Sequence, residues 1–200
     1  SIIDSYISEK VDVIVTISTP ATQAALNKVK DTPIVFATVA NPFILKAGTS
    51  ETEHLPNVTG TYGWAPMDIT TNFISELFGK KLTLGAVWDI GQTNSEFNMK
   101  NLRAELKNYP DIKLVEATVN SSSEVQQAAS SLLNKGIDVL VLPPDNTVYS
   151  AFDAILKSVN QAKVPVIIND VERINDGALA AVGYDYFSSG VSAAKLVDRI

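Results

Sequence analysis

Short runs rich in Val, Ile and Leu, each followed by an amphipathic stretch, constrain this chain more than any other feature. The runs are 12–17 DVIVTI, 33–39 PIVFATV, 83–88 TLGAVW, 112–119 IKLVEATV, 137–142 IDVLVL and 164–168 VPVII. A strand covered on one face alternates apolar with polar residues, whereas a strand covered on both faces reads as a near-continuous apolar run. Most of these runs are of the second kind. Strands alternating with helices then imply right-handed crossovers and parallel, doubly wound sheets.

The intervening helices carry recognisable ends. Ser121 to Glu124 has the spacing of a capping box, and Val125, Ala128, Ala129, Leu132 and Leu133 make one apolar stripe that Gly136 closes. Thr93 to Glu96 has the same spacing. Thr19 before Pro20 reads as a cap followed by proline in the first turn. A helix opening at Pro66 or Asp68 runs through Phe73, Ile74, Leu77 and Phe78 to Gly79. Another starts at Val148, with Asn146 or Thr147 as its cap.

Two irregular segments interrupt the rhythm, 41–66 and 169–187. The economical reading is two lobes, the first made of residues 1–62 plus 171–200 and the second of 63–170. The first lobe is then incomplete. The chain opens and closes inside helical stretches, SIIDSYISEK and AAKLVDRI, so it reads as a piece of a longer protein.

In such sheets ligands bind beyond the carboxyl ends of the strands, where helix N-termini expose N–H groups. Polar residues collect at those positions: STPAT at 18–22, ANP at 40–42, DIGQTNS at 89–95, PPDNT at 143–147 and ND at 169–170. The local alternative is that these are caps and turns, which favour the same residue types. Tyr62, Trp64, Trp88, Tyr184 and Tyr186 stand near strand ends or connections, either as packing or as a surface for a flat apolar group.

Composition narrows the function. A net charge of −6 without a Lys/Arg run argues against a nucleic-acid partner. With no cysteine and a single histidine, His54, neither a conventional zinc site nor a serine–histidine triad is expected. No Gly-rich phosphate loop or nucleophile elbow is present, and no cofactor is expected. Asp89, Asp145 and Asp170 are the carboxylates available for acid–base work.

In order along the chain, VDVIVTISTPATQAAL, TPIVFATVANP, NVTGTYGW, VEATVNSSSEVQQAASSL, VLPPDNTVYSAF and GALAAVGYDYFSSGVSAAKL resemble the ABC-transporter substrate-binding proteins of the tryptophan/aromatic amino acid type. The resemblance implies the type I periplasmic-binding-protein fold and two lobes that close on a small ligand by hinge motion. It further implies a monomeric extracytoplasmic receptor, a cell-surface lipoprotein or a periplasmic protein, that delivers tryptophan, phenylalanine or another hydrophobic amino acid to an ABC permease.

By the same resemblance Ser18, Thr19, Pro20 and Ala21 form the loop that holds a ligand carboxylate. Asn41 lies in the neighbouring loop, where the family often has Asp. Asn94, Ser95, Asp145, Asn146, Thr147 and Asp170 are second-lobe or hinge contacts, with Asp145 or Asp170 partnering an ammonium group. Tyr62 and Trp64 are candidates for the side-chain pocket. The rival readings are the effector domain of a LacI-type transcriptional regulator and an α/β enzyme using the rim carboxylates.

Overall fold

The computed structural model describes residues 1–200, which divide into two compact units. One comprises Ser1–Trp64 with Asp185–Ile200, the other Ala65–Tyr184. The return to the first unit therefore falls at 184/185, not near 170/171 as expected. The cause is β8 (Ala180–Ala181), which pairs in parallel with β7 (Val166–Ile168) and ties 171–184 to the second unit. A two-residue strand inside a turn-rich stretch carries no periodic signal.

The second unit is a five-stranded parallel sheet in the order β5-β4-β6-β7-β8, where β4 is Leu82–Asp89, β5 Ile112–Val119 and β6 Val139–Leu142. Its apolar runs split by parity. Leu84, Ala86, Trp88, Val139, Val141 and Ile167 face α3 (Met67–Phe78) and α4 (Thr93–Glu105). Val87, Leu140, Leu142, Val166 and Ile168 face α5 (Ser122–Asn134) and α7 (Phe152–Ala162). Both faces are covered, as unbroken apolar strands require. The helix expected from Val148 is two pieces, α6 (Asn146–Ser150) and α7, which break at Ala151.

The first unit is a three-stranded parallel sheet, β1 (Ile14–Ile17), β2 (Ile34–Val39) and β3 (Val58–Tyr62), in that order. On one face Ile14, Ile34, Phe36 and Val58 pack against α2 (Thr19–Lys28) and against Leu45 and Ala47 of the long connection. On the other, Val35 and Ala37 pack against Ala193 of α8 (Tyr186–Val197). α1 (Ile2–Glu9) begins with a capping box from Ser1.

Parity in β2 changes at Thr38. Phe36 pairs with Gly60 but Val39 pairs with Tyr62, so one extra residue is inserted on β2. Thr38 has φ 52, the left-handed conformation a bulge residue adopts. Val39 consequently returns to the face of Phe36.

Candidate functional site

The rim of the first unit is built at the end of β1. Ser18, not Thr19, is the N-cap of α2, and Pro20 lies in its first turn. Ser18 has φ 79 and ψ 159, a region that essentially only glycine occupies, and holding a serine there costs on the order of 1–3 kcal/mol. Its N–H donates to Ala37 O (3.0 Å) and its carbonyl accepts from the Thr22 hydroxyl (2.9 Å), so the surrounding structure enforces the conformation. Its own hydroxyl makes no capping bond. Thr19 Oγ1 accepts from the Ala40 N–H (3.2 Å), joining the loops after β1 and β2, and Ala21 is half-buried in the first turn. Asn41 Oδ1 accepts from the Phe43 N–H (2.9 Å), a local Asx turn that Asp would make equally well.

Tyr62 and Trp64 stack with ring centroids 6.2 Å apart, and Trp64 remains 49% exposed. Tyr62 also meets Phe43 edge-on at 5.6 Å and donates its hydroxyl to Glu51 (2.7 Å). That bond, followed by partial burial and the negative charge of Glu51, holds the phenol above its ordinary range.

At the rim of the second unit Asp145 is the hub of a network. It caps α6, accepting from the Val148 N–H (2.9 Å), whereas Asn146 or Thr147 was expected to cap. Its other oxygen accepts from the Asp89 N–H and the Ser95 hydroxyl, both at 2.6 Å. Only 2% of Asp145 is exposed. Thr147 donates to Asp89 Oδ2 (2.6 Å), and Gln92 donates to the same oxygen (3.1 Å). Asn146 donates to Gln92 Oε1 (2.9 Å) and stays exposed. Burial alone would raise the Asp89 carboxyl, but bonds from Thr147, Gln92 and the Gly91 N–H outweigh it and bring it below the ordinary range. The α4 cap also differs from expectation, since Gln92 stands at the N-cap position and Thr93 is already helical.

Asn94 and Ser95 are buried within this network; Asn94 Nδ2 donates to Pro144 O (3.1 Å), while its Oδ1 is buried without a partner. One strand along, Asn169 is fully buried and donates to Thr70 Oγ1 (2.9 Å) and Val182 O, with its Oδ1 likewise unmet. Asp170 caps the 3₁₀ turn Val171–Asp176, accepting from the Glu172 N–H (3.2 Å), with Arg173 3.6 Å away. Burial raises the Asp170 carboxyl. Burial, and then the charge of Asp170, push the Tyr184 phenol up to about 12.

The expected residues thus gather in two sets, one per unit. Ser18–Ala21, Asn41, Tyr62 and Trp64 belong to the first, and Asn94, Ser95, Asp145–Thr147 and Asp170 to the second. Gln92 and Asn169 were not singled out by sequence, although both lie in rim loops; Asp89 was noted only as a carboxylate. The positive φ of Ser18 and Thr38 had no sequence signal, because glycine is absent where the backbone is left-handed.

Two parallel α/β units, each with polar side chains at its strand ends, make this a two-unit parallel α/β protein. A family model described as ABC transporter substrate binding protein matches residues 1–200, and the chain belongs to that family. A tyrosine-binding protein of Clostridioides difficile (strain R20291) is 36% identical over 204 residues. The match covers 100% of this chain but 57% of that relative, so the chain spans little more than half its length. A crystal structure of a conserved domain protein from Vibrio cholerae is 33% identical with a TM-score of 0.92, covering 99% of this chain and 66% of that one. The structure of an ABC domain in complex with L-Trp from Streptococcus pneumoniae has a TM-score of 0.93 at 23% identity, with the same coverage.

Proposed function

We propose that this chain is the ligand-binding part of an ABC importer's substrate-binding protein, that it binds an aromatic amino acid, and that it does so without catalysis. The observation that carries the ligand class is the 36% identity to a protein named for binding tyrosine. The tryptophan complex, at 23% identity, supports the fold alone. An extracytoplasmic location, a permease partner and a monomeric state go with this reading.

The geometry of each unit supports it. At the α2 N-terminus the first-turn N–H groups have no preceding carbonyl to bond, and the helix end favours negative charge. Together with the Ser18 hydroxyl they suit an α-carboxylate. Backbone strain of the kind at Ser18 clusters at ligand clamps. In the second unit Asp170 is the carboxylate for the ammonium group. Asp145 is the weaker candidate, because its oxygens already accept three hydrogen bonds below the surface. Asn94 and Ser95 then support the rim, and Asn146 and Thr147 remain candidate contacts.

Asp170→Asn tests this assignment. Losing a charge-assisted bond to ammonium costs about 1–3 kcal/mol, roughly a 5- to 150-fold weaker Kd for L-tyrosine or L-tryptophan by calorimetry. An unchanged Kd removes Asp170 from the site.

A further inference from the structure

We infer that the first unit carries a second small-molecule site, beneath the β2–β3 connection and bordering the strand-end rim at Tyr62, that takes a small organic cation with an apolar ammonium head. The connection between β2 and β3 contains no helix. It folds back over the sheet and borders a half-open cavity of about 240 Å³. The cavity walls include the aromatic rings of Phe36, Phe43 and Tyr62, the side chain of Val58, and Glu51 and His54 of the connection.

The lip is a built structure. Gly48 and His54 form an antiparallel bridge, the Thr49 N–H donates to Glu53 O (2.8 Å), and the Leu55 N–H donates to Ala47 O (2.8 Å). A Cβ on Gly48 would stand 2.5 Å from Glu53 O, so the close approach of the two arms needs glycine. The Ser50 hydroxyl accepts from the Glu53 N–H (3.0 Å) and closes the turn that carries Glu51. The turn places the Glu51 carboxylate over the cavity, where it accepts from the Tyr62 hydroxyl (2.7 Å).

The charge is one-sided. No ion pair of the chain involves Glu51 or Glu53, so the carboxylates at the lip are not neutralised by a lysine or arginine. Aromatic faces attract cations through the ring quadrupole, and aromatic walls with a carboxylate at the mouth suit an alkylated ammonium better than a neutral or anionic guest. Phe43 and Tyr62, 5.6 Å apart and nearly perpendicular, put a ring face and a ring edge side by side in one wall. A bare, strongly hydrated ammonium or metal ion gains less there, because an apolar wall offers no replacement for its water. Tyr62 borders both sites, but Phe43 and Glu51 belong only to this one, so substitutions at those two residues read it apart from the rim site.

Choline and its neutral isostere 3,3-dimethylbutan-1-ol test the inference, titrated into the isotopically labelled chain and followed by amide NMR shifts. Choline is expected to shift the amides of residues 47–62 saturably and to bind at least 10-fold more tightly than the isostere. Glu51→Gln and Phe43→Leu should each weaken choline 3-fold or more, and saturating L-tyrosine should leave the choline shifts in place. Equal affinity for the two probes, shifts centred elsewhere, no saturation by 20 mM choline, displacement by L-tyrosine, or unchanged affinity in both variants would overturn it.

Discussion

Asp145→Ala perturbs the point where the second unit's loops are tied together. The wild-type carboxylate, 2% exposed, accepts from the Asp89 N–H, the Ser95 hydroxyl and the Val148 N–H. Alanine leaves these donors facing an apolar methyl. Losing a helix cap costs about 0.5–2 kcal/mol, and a buried donor left unmet costs about 1–3 kcal/mol. The Ser95 hydroxyl can rotate, whereas the Asp89 N–H is fixed by its strand. The combined loss is then about 1.5–5 kcal/mol, a large share of a typical domain's stability. Asp145→Asn keeps an acceptor for Val148 but turns an NH₂ toward the Asp89 N–H, so it should fall between wild type and alanine. Urea unfolding followed by the fluorescence of Trp88, which is buried in this unit, reads the change in a Trp64→Phe background. A loss below about 1 kcal/mol for Asp145→Ala refutes the network reading. If that small loss came with abolished amino acid binding, Asp145 would be a ligand contact and not a structural hub.

Ser18→Gly should leave thermal stability unchanged or raise it by up to about 1 kcal/mol, because φ 79 and ψ 159 are free of strain only for glycine; a loss above 1 kcal/mol in calorimetric unfolding contradicts the strain assignment. The same substitution removes the hydroxyl and should weaken amino acid binding. Asp89 has its carboxyl lowered in the folded state, so in acid the unfolded chain binds the proton first. Its contribution is full above the unfolded value of about 3.9 and is lost as pH falls through the lower folded value. Urea midpoints of the second unit should therefore drop below about pH 4, and Asp89→Asn should flatten that drop; an equally steep profile in the variant contradicts the assignment.

The parallel sheets were legible because both-face burial writes itself into residues such as Val139–Leu142 and Leu84–Val87 as unbroken apolar runs. Where burial is slight, the signal fails. β8 is two residues long, and in β3 only Val58 is buried, so Val58–Tyr62 reads as part of a loop. The rim loops were likewise locatable from strand ends, but which polar residue faces inward was not. Asp145, Asn146 and Thr147 are all good caps, and only the approach of the Asp89 N–H from β4, distant in sequence, selects Asp145 for the interior. The strained Ser18 was invisible for a related reason: its conformation is imposed by Ala37 and Thr22, not by any local preference of serine.

Isothermal titration of this protein with L-tyrosine, L-tryptophan and L-phenylalanine, alongside L-alanine and D-glucose, decides whether it binds aromatic amino acids. At least one aromatic amino acid should bind saturably and one-to-one, L-alanine should bind more weakly or not at all, and the sugar should give no heat. Saturable binding of D-glucose with none of the aromatic amino acids would contradict the proposed function.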